Sequence, residues 1–310
     1  MEVRKFLYRQ KQKWKYHTSP NYFQKRVAEI NRNQPVISVD KDTFKVEGSD
    51  LVFHKTDHAF IVDQWDLFLV LLSGAGNFFI EGNELFYTLD DLKLNVTTAE
   101  ELFIIHEVFI EGCYSLSTTF TYHVIDIGMN VGFASLFFAR QPEVRSVYAY
   151  EPFAPTFTQA QRNLALNPNI RNKIEAFSFG LGDKNEALLV NYDYDNKSQV
   201  GVLGTSLIKG EIKKAESTNI SLQKASAVIN EITSRHAKEH FLLKIDCEGA
   251  EYGIVRDLNE NQLLPLFKAI IIEWHEQGPE VLLEILKQNN FVAFHQQASG
   301  KKVGMIYATR

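Results

Sequence analysis

From residue 121 onward, strand-like apolar runs alternate with segments of helical period, and this alternation limits the fold more than any other feature. "HVIDIG" precedes a helical pattern carrying Phe133, Leu136, Phe137 and Ala139, and "SVYAYEP" precedes one carrying Phe157, Ala160 and Leu164. The runs "IEAFSFG", "FLLKID", "AIIIEW", "FVAFHQ" and "VGMIYAT" follow. Such alternation predicts βαβ units and a parallel sheet buried on both faces. Only "QASGKK" separates the last two runs, too short for a crossover helix, so that pair is antiparallel. The expected architecture is α/β, a mostly parallel sheet with an antiparallel last strand. The irregular stretch 184–240 reads as an insertion with its own hairpins ("ALLVNYDY", "GVLGTSLI") and the helix-like "SAVINEITSRH".

Upstream the text changes. Residues 36–118 hold short β-like runs ("FKVEG", "LVFH", "AFIVD", "NFFIEG", "ELFYTL", "LKLNV") punctuated by turn formers, and predict a smaller N-terminal mixed α/β domain ahead of the main domain, 119–310. Before it, residues 1–35 read as a basic helical leader closed by Pro35. It carries Arg4, Lys5, Arg9, Lys11, Lys13, Lys15, Lys25, Arg26 and Arg32 against Glu2 and Glu29. A solvated helix packed on the acidic remainder is preferred there to an electrostatic arm. The formal net charge of −5 gives no reason to expect nucleic acid. "LFLVLLSGAG" (67–76) is about half the ~20 residues that span a bilayer, so it reads as a buried strand and no membrane span is expected. Cys113 and Cys247 form no metal or redox pair motif, and no apolar run follows the charged first residues. Both observations make a cytoplasmic protein the expectation.

The functional signal begins at "DIGMNVG" (126–132), where a strand passes into a helix. Gly128 permits a tight turn, Gly132 leaves the first helical turn open to a ligand, and Asn130 is placed to cap that helix. A P-loop needs Lys-Ser/Thr after the glycines, where Phe133 stands. A dinucleotide fingerprint needs glycine where Asn130 stands. Asp126 would repel a pyrophosphate and attract an amine. Glu151, ending the next strand, is placed to accept hydrogen bonds from both hydroxyls of a ribose. An acid, a glycine turn and a ribose carboxylate without a phosphate site fit S-adenosyl-L-methionine.

A second constellation is "LLKIDCEGAEYGIVRDL" (242–258), in which Asp246, Glu248 and Glu251 crowd the end of a strand. At this point the chain resembles the FkbM family of S-adenosylmethionine-dependent methyltransferases, from about 102 to 310. The resemblance rests on "HEVFIEGCYSL", "VIDIGMNVGFASLFFA", "VYAYEP", "GLGD", "GTSLI", "LLKIDCEGAEYGIV" and "IIIEWH". It implies a class I methyltransferase (Rossmann-like) fold with a seven-stranded sheet, and O-methylation of a hydroxyl on a sugar, glycan or secondary metabolite. It also implies Asp126, Gly128, Asn130 and Gly132 around the methionyl part of the cofactor, Glu151 on its ribose, and the stretch from Phe179 to Asp183 near its adenine. Tyr114 and Glu111 are placed to close over it.

Methyl transfer to an alcohol benefits from a general base. His275 of "EWH" is the preferred one, because an ordinary imidazole titrates near neutrality, and Asp246 ends the strand beside it. His106 and His123 read as structural. Asp246, Glu273 and His275 could alternatively hold a divalent cation, a reading not favoured over the metal-free base. The rival functions are a NAD-binding oxidoreductase and a degenerate methyltransferase fold acting as a binding module. The acceptor's identity and the oligomeric state are not written in the sequence.

Overall fold

The computed structural model describes residues 22–32, 36–192, 216–297 and 302–310. Most of the basic leader, the "GVLGTSLI" run and most of the "QASGKK" loop lie outside them. The chain forms two compact units, Met1–Cys113 and Tyr114–Arg310. The sequence reading put this boundary five residues later, after 118.

In the first unit, helix α1 (Tyr22–Ile30) is the described part of the leader. It is not a free arm. Phe23 and Val27 are buried, and the Tyr22 hydroxyl donates to Asp63 at 2.8 Å. Strands β1 (Ile37–Val39), β2 (Thr43–Val46) and β3 (Val52–His54) form one antiparallel sheet. Helix α2 covers Trp65–Ser73, and strands β4 (Asn77–Glu81), β5 (Glu84–Leu89) and β6 (Leu92–Val96) form a second antiparallel sheet. Two runs differ from their sequence reading. "AFIVD" is a 3-10 helix, and "LFLVLLSGAG" begins within α2 instead of forming a strand. Trp65, Phe68 and Leu71 are buried at helical spacing, whereas Leu69 and Val70 are exposed. Because the exposed positions are apolar too, the helical period is invisible in the letters. Helix α3 (Ala99–Ile105) is capped by the Thr98 side chain and continues into a π-helical turn, His106–Glu111.

The second unit is the predicted α/β sheet. Its elements are β7 (Tyr122–Ile127), α4 (Phe133–Arg140), β8 (Val144–Tyr150), α5 (Ala154–Ala165) and β9 (Ile174–Phe177). An insertion follows, with β10 (Gly180–Gly182), β11 (Glu186–Tyr192), β12 (Glu216–Lys224) and α6 (Ala225–Arg235). The sheet resumes with β13 (His240–Ile245), α7 (Glu251–Glu260), β14 (Phe267–His275), α8 (Glu280–Gln288), β15 (Val292–Gln297) and β16 (Val303–Thr309). Among the described residues the main sheet has seven strands, ordered β15-β16-β14-β13-β7-β8-β9. β16 runs antiparallel to both its neighbours, and the remaining pairs along β14-β13-β7-β8-β9 are parallel. This is the seven-stranded, mostly parallel sheet that the class I methyltransferase resemblance implies.

From β7 the chain first builds outward through β8 and β9, then returns to lay β13 on the other side. That reversal opens a crevice beyond the carboxyl ends of β7 and β13, where open α/β sheets bind ligands. Every residue of β7 is buried, as a central strand covered on both faces requires. The insertion's β10, β11 and β12 form a small sheet whose Val190, Tyr192, Ile220 and Leu222 pack with Phe153, the residue just before α5. No helix among the described residues is long and apolar enough to cross a membrane.

Candidate functional site

At the end of β7 the backbone turns through Gly128 (φ +84°), Asn130 (φ +51°) and Gly132 (φ +89°). Gly128 is demanded twice over. Its φ disfavours a side chain, and a Cβ there would lie 1.7 Å from the Asp246 carbonyl oxygen. Gly132 is demanded by φ alone, since a Cβ would meet Ala160 at an ordinary 3.5 Å. Asn130 does not cap α4, as expected from the sequence; Gly132 is the cap residue and no side-chain cap bond forms there. The left-handed turn instead points the Asn130 N–H at Glu151, whose Oε2 accepts it at 3.0 Å. The other Glu151 oxygen accepts the Phe153 N–H at 2.9 Å. Burial pushes the Glu151 carboxyl up to about 7, against these two hydrogen bonds, which favour its ionised form. The side-chain oxygen of Asn130 is buried without a partner among the described residues.

Asp126 is fully buried, and its partner was missed by the sequence reading. The neighbouring strand sets Lys244 opposite Asp126, with Nζ 3.0 Å from Oδ1, while the Ser135 hydroxyl donates to Oδ2 at 2.5 Å. Lys244 also donates to the Gly128 carbonyl at 2.5 Å and lies 3.7 Å from Asp246. Burial disfavours the charged lysine, but Asp126 and Asp246 outweigh it and hold its pKa above the ordinary value. Asp126 therefore braces the glycine turn through Lys244 and is not an open anion for an incoming amine. The only hint was a lysine inside the apolar run "LLKID".

Glu151, Asp246 and Glu248 line the crevice together with Gly128 and Asn130. From the stretch assigned to adenine, Gly180 and Leu181 line it. Phe179 packs instead against Tyr150 and Phe177, and Asp183 lies beside Gly253 of α7. Tyr114 is buried and is no lid. Its hydroxyl donates to Asp246 Oδ2 at 3.2 Å, and its ring stands 5.6 Å from the Lys244 ammonium. Glu111 falls in the first unit, 3.4 Å from His106.

His275 departs most from its sequence reading. It is 4% exposed, with Nδ1 2.8 Å from Glu251 Oε1 and Nε2 3.5 Å from Glu248 Oε2. Burial alone would lower its pKa. The hydrogen bond to Glu251 and the charges of Glu248, Glu251 and Asp246 outweigh burial and push it up to about 10. At neutral pH the ring already holds its proton, so it is not the near-neutral metal-free base expected. Glu251, missed as a partner, is itself fully buried and accepts the Gly249 N–H at 2.9 and 3.0 Å. Glu273 stands two residues before His275 on β14, and one donor atom from each of Asp246, Glu273 and His275 lies within 4.8 Å of the others.

Comparison with known proteins adds the following. Residues 126–293, more than half of the chain, match the methyltransferase FkbM domain. Methyltransferase 1 of Beauveria bassiana (strain ARSEF 2860) is 27% identical over 187 residues, covering 55% of this chain and 74% of its own length. Methyltransferase sdnD of Sordaria araneosa is 23% identical over 215 residues, covering 63% of this chain and 83% of its own. The crystal structure of methyltransferase FkbM from Methylobacillus flagellatus KT aligns at 14% identity and a TM-score of 0.39, over 80% of this chain and 59% of that one.

Proposed function

This chain belongs to the FkbM methyltransferase family, and on that premise we propose that it moves a methyl group from S-adenosylmethionine to a hydroxyl of a small molecule or glycan. The observation that carries the cofactor reading is the donor set of the crevice. Three carboxylates, Glu151, Asp246 and Glu248, line it, and Asn130 presents a buried oxygen that has no partner among the described residues. A phosphate-bearing ligand would meet repulsion there. An amine, a sulfonium and a ribose diol would each meet an acceptor.

Glu151 is assigned to the ribose, since each of its oxygens accepts one backbone N–H and keeps a lone pair for a hydroxyl. Gly128 and the Asn130 oxygen fit the methionyl end, and Gly180 and Leu181 the adenine side. Bound there, the cofactor supplies a sulfonium methyl; its C–S bond breaks as the acceptor oxygen forms the new C–O bond, and the hydroxyl proton leaves. Asp246 is assigned to orient the acceptor hydroxyl. It lines the crevice, is partly exposed, and is steadied by the Tyr114 hydroxyl and Lys244.

Calorimetry with S-adenosylmethionine and, separately, NAD tests this reading. Glu151→Ala is expected to weaken S-adenosylmethionine binding by about 100-fold or more, the loss of two hydrogen bonds to a charged group. With a carboxyl titrating at about 7, wild-type affinity should drop roughly 30-fold between pH 8 and 5.5, and the variant should lose that dependence. Tighter binding of NAD, or an affinity unchanged in Glu151→Ala, would sink it.

A further inference from the structure

We propose that Asp246, Glu273 and His275 form a divalent cation site at the carboxyl edge of β13 and β14. The proposal deepens the methyltransferase reading of the crevice and rests on it for the cation's role, though not for its binding.

The first observation is convergence. Asp246 follows β13, while Glu273 and His275 lie two residues apart on β14, on one face of the strand. Three residues from two strands thus offer donor atoms that all lie within 4.8 Å of one another. Ligands on opposite sides of a magnesium-sized cation are about 4.2 Å apart, so small side-chain rotations complete the set. Two carboxylates and one imidazole form an oxygen-rich site, which suits magnesium or manganese better than zinc.

The second observation is how His275 is held. Metal-ligating histidines nearly always bond their second ring nitrogen to a carboxylate or carbonyl, which fixes the ring and its tautomer. Here Nδ1 is 2.8 Å from Glu251 Oε1, and Glu251 is itself locked by the Gly249 N–H. Nε2 is thereby turned toward the carboxylates, 3.5 Å from Glu248. A surface ion pair needs none of this support, and a histidine buried only for packing needs no anionic cage.

Function follows from position. Asp246 and Glu248 line the crevice, so a cation on Asp246 reaches its open side. Three protein ligands leave positions of an octahedral ion free for water or an acceptor oxygen. A hydroxyl bound there is acidified, and its proton passes to water before the oxygen attacks the sulfonium methyl. His275 then serves as a ligand through Nε2, giving up its proton as the cation binds.

The test is manganese binding by the full chain, stripped of metal with a chelator and followed by the electron paramagnetic resonance of free Mn²⁺. One equivalent should bind, and Asp246→Asn and Glu273→Gln should each weaken it at least tenfold. Glu251→Gln, which loosens the histidine and also costs stability, should weaken it by about 10-fold in the fraction that remains folded. Glu273→Gln is nearly isosteric at a partly exposed position, so it decides the matter should another variant fail to fold. Absence of bound Mn²⁺ at millimolar concentration overturns the proposal. So does binding that survives Asp246→Asn and Glu273→Gln but disappears in Glu239→Gln, which places the ion at the other convergent group of the sheet, His123, His236 and Glu239. Calorimetry with S-adenosylmethionine on the same stripped samples reports separately on the methyltransferase reading, since Glu151 takes no part in holding the cation.

Discussion

The two edges of the parallel sheet each bury a histidine against a glutamate, and the two histidines behave in opposite ways. At the carboxyl edge, His275 lies 2.8 Å from Glu251 and its pKa is pushed up to about 10. At the amino edge, His123 of β7 lies 3.0 Å from Glu239, yet its pKa is lowered. Burial lowers both. The difference lies in the company each ring keeps. His275 faces Glu251, Glu248 and Asp246, with the first fully buried. His123 has Glu239 alone, and that carboxylate also accepts from Arg145 at 2.8 Å; the neighbouring His236, its ring centroid 4.0 Å away, pushes the pKa down further. One shared, partly exposed carboxylate does not offset the loss of water around an imidazolium, whereas a fully buried one backed by two more carboxylates does.

The largest expected effect is on proton affinity. Nitrogen NMR of the imidazoles should show His275 charged up to pH about 10, whereas His123 gives up its proton more readily than an ordinary imidazole. The stability consequences have opposite sign. His275 stabilises the fold fully below its unfolded pKa of 6.5, and that contribution is lost as pH rises through about 10. His123 contributes above 6.5 and loses the contribution as pH falls. Two histidines titrating together would erase the contrast between the edges.

The next effect is on stability at pH 7. Removing one partner of a buried pair typically costs about 3–5 kcal/mol, so Glu251→Gln should lower the urea midpoint markedly. Glu239→Gln should leave the midpoint close to wild type, because Glu239 and Arg145 are both partly exposed to solvent. Equal losses would show that burial of the carboxylate is not what separates the edges.

The smallest effect concerns the carboxyl edge alone. Gly132→Ala should cost about 1–2 kcal/mol, the penalty of a left-handed residue with room for its Cβ. Gly128→Ala should cost more and, under the proposed function, weaken S-adenosylmethionine binding, since its Cβ would displace the Asp246 backbone. A milder Gly128 variant, ranked by denaturant unfolding, would mean that the turn adapts and is not the rigid support described here.

Much of this molecule is legible as text. The period change at 121, the strand ends at Asp126, Glu151 and Asp246, and the short last connection define the parallel sheet and its antiparallel finish, because strand and helix periods are local properties of the chain. The glycine turn is equally local, since its left-handed residues are needed whatever lies around them. Tertiary structure alone decided which charges meet. Lys244 neutralises Asp126 only because β13 lies beside β7, and Glu251 keeps His275 charged only because the start of α7 covers the end of β14. The first seven residues of the apolar run at 67–76 lie in α2 for a related reason: which of its apolar positions face solvent depends on what packs against them. Neighbours across a sheet are set by strand order, which the letters do not spell out. The charge state of a buried group depends on those neighbours more than on its own type.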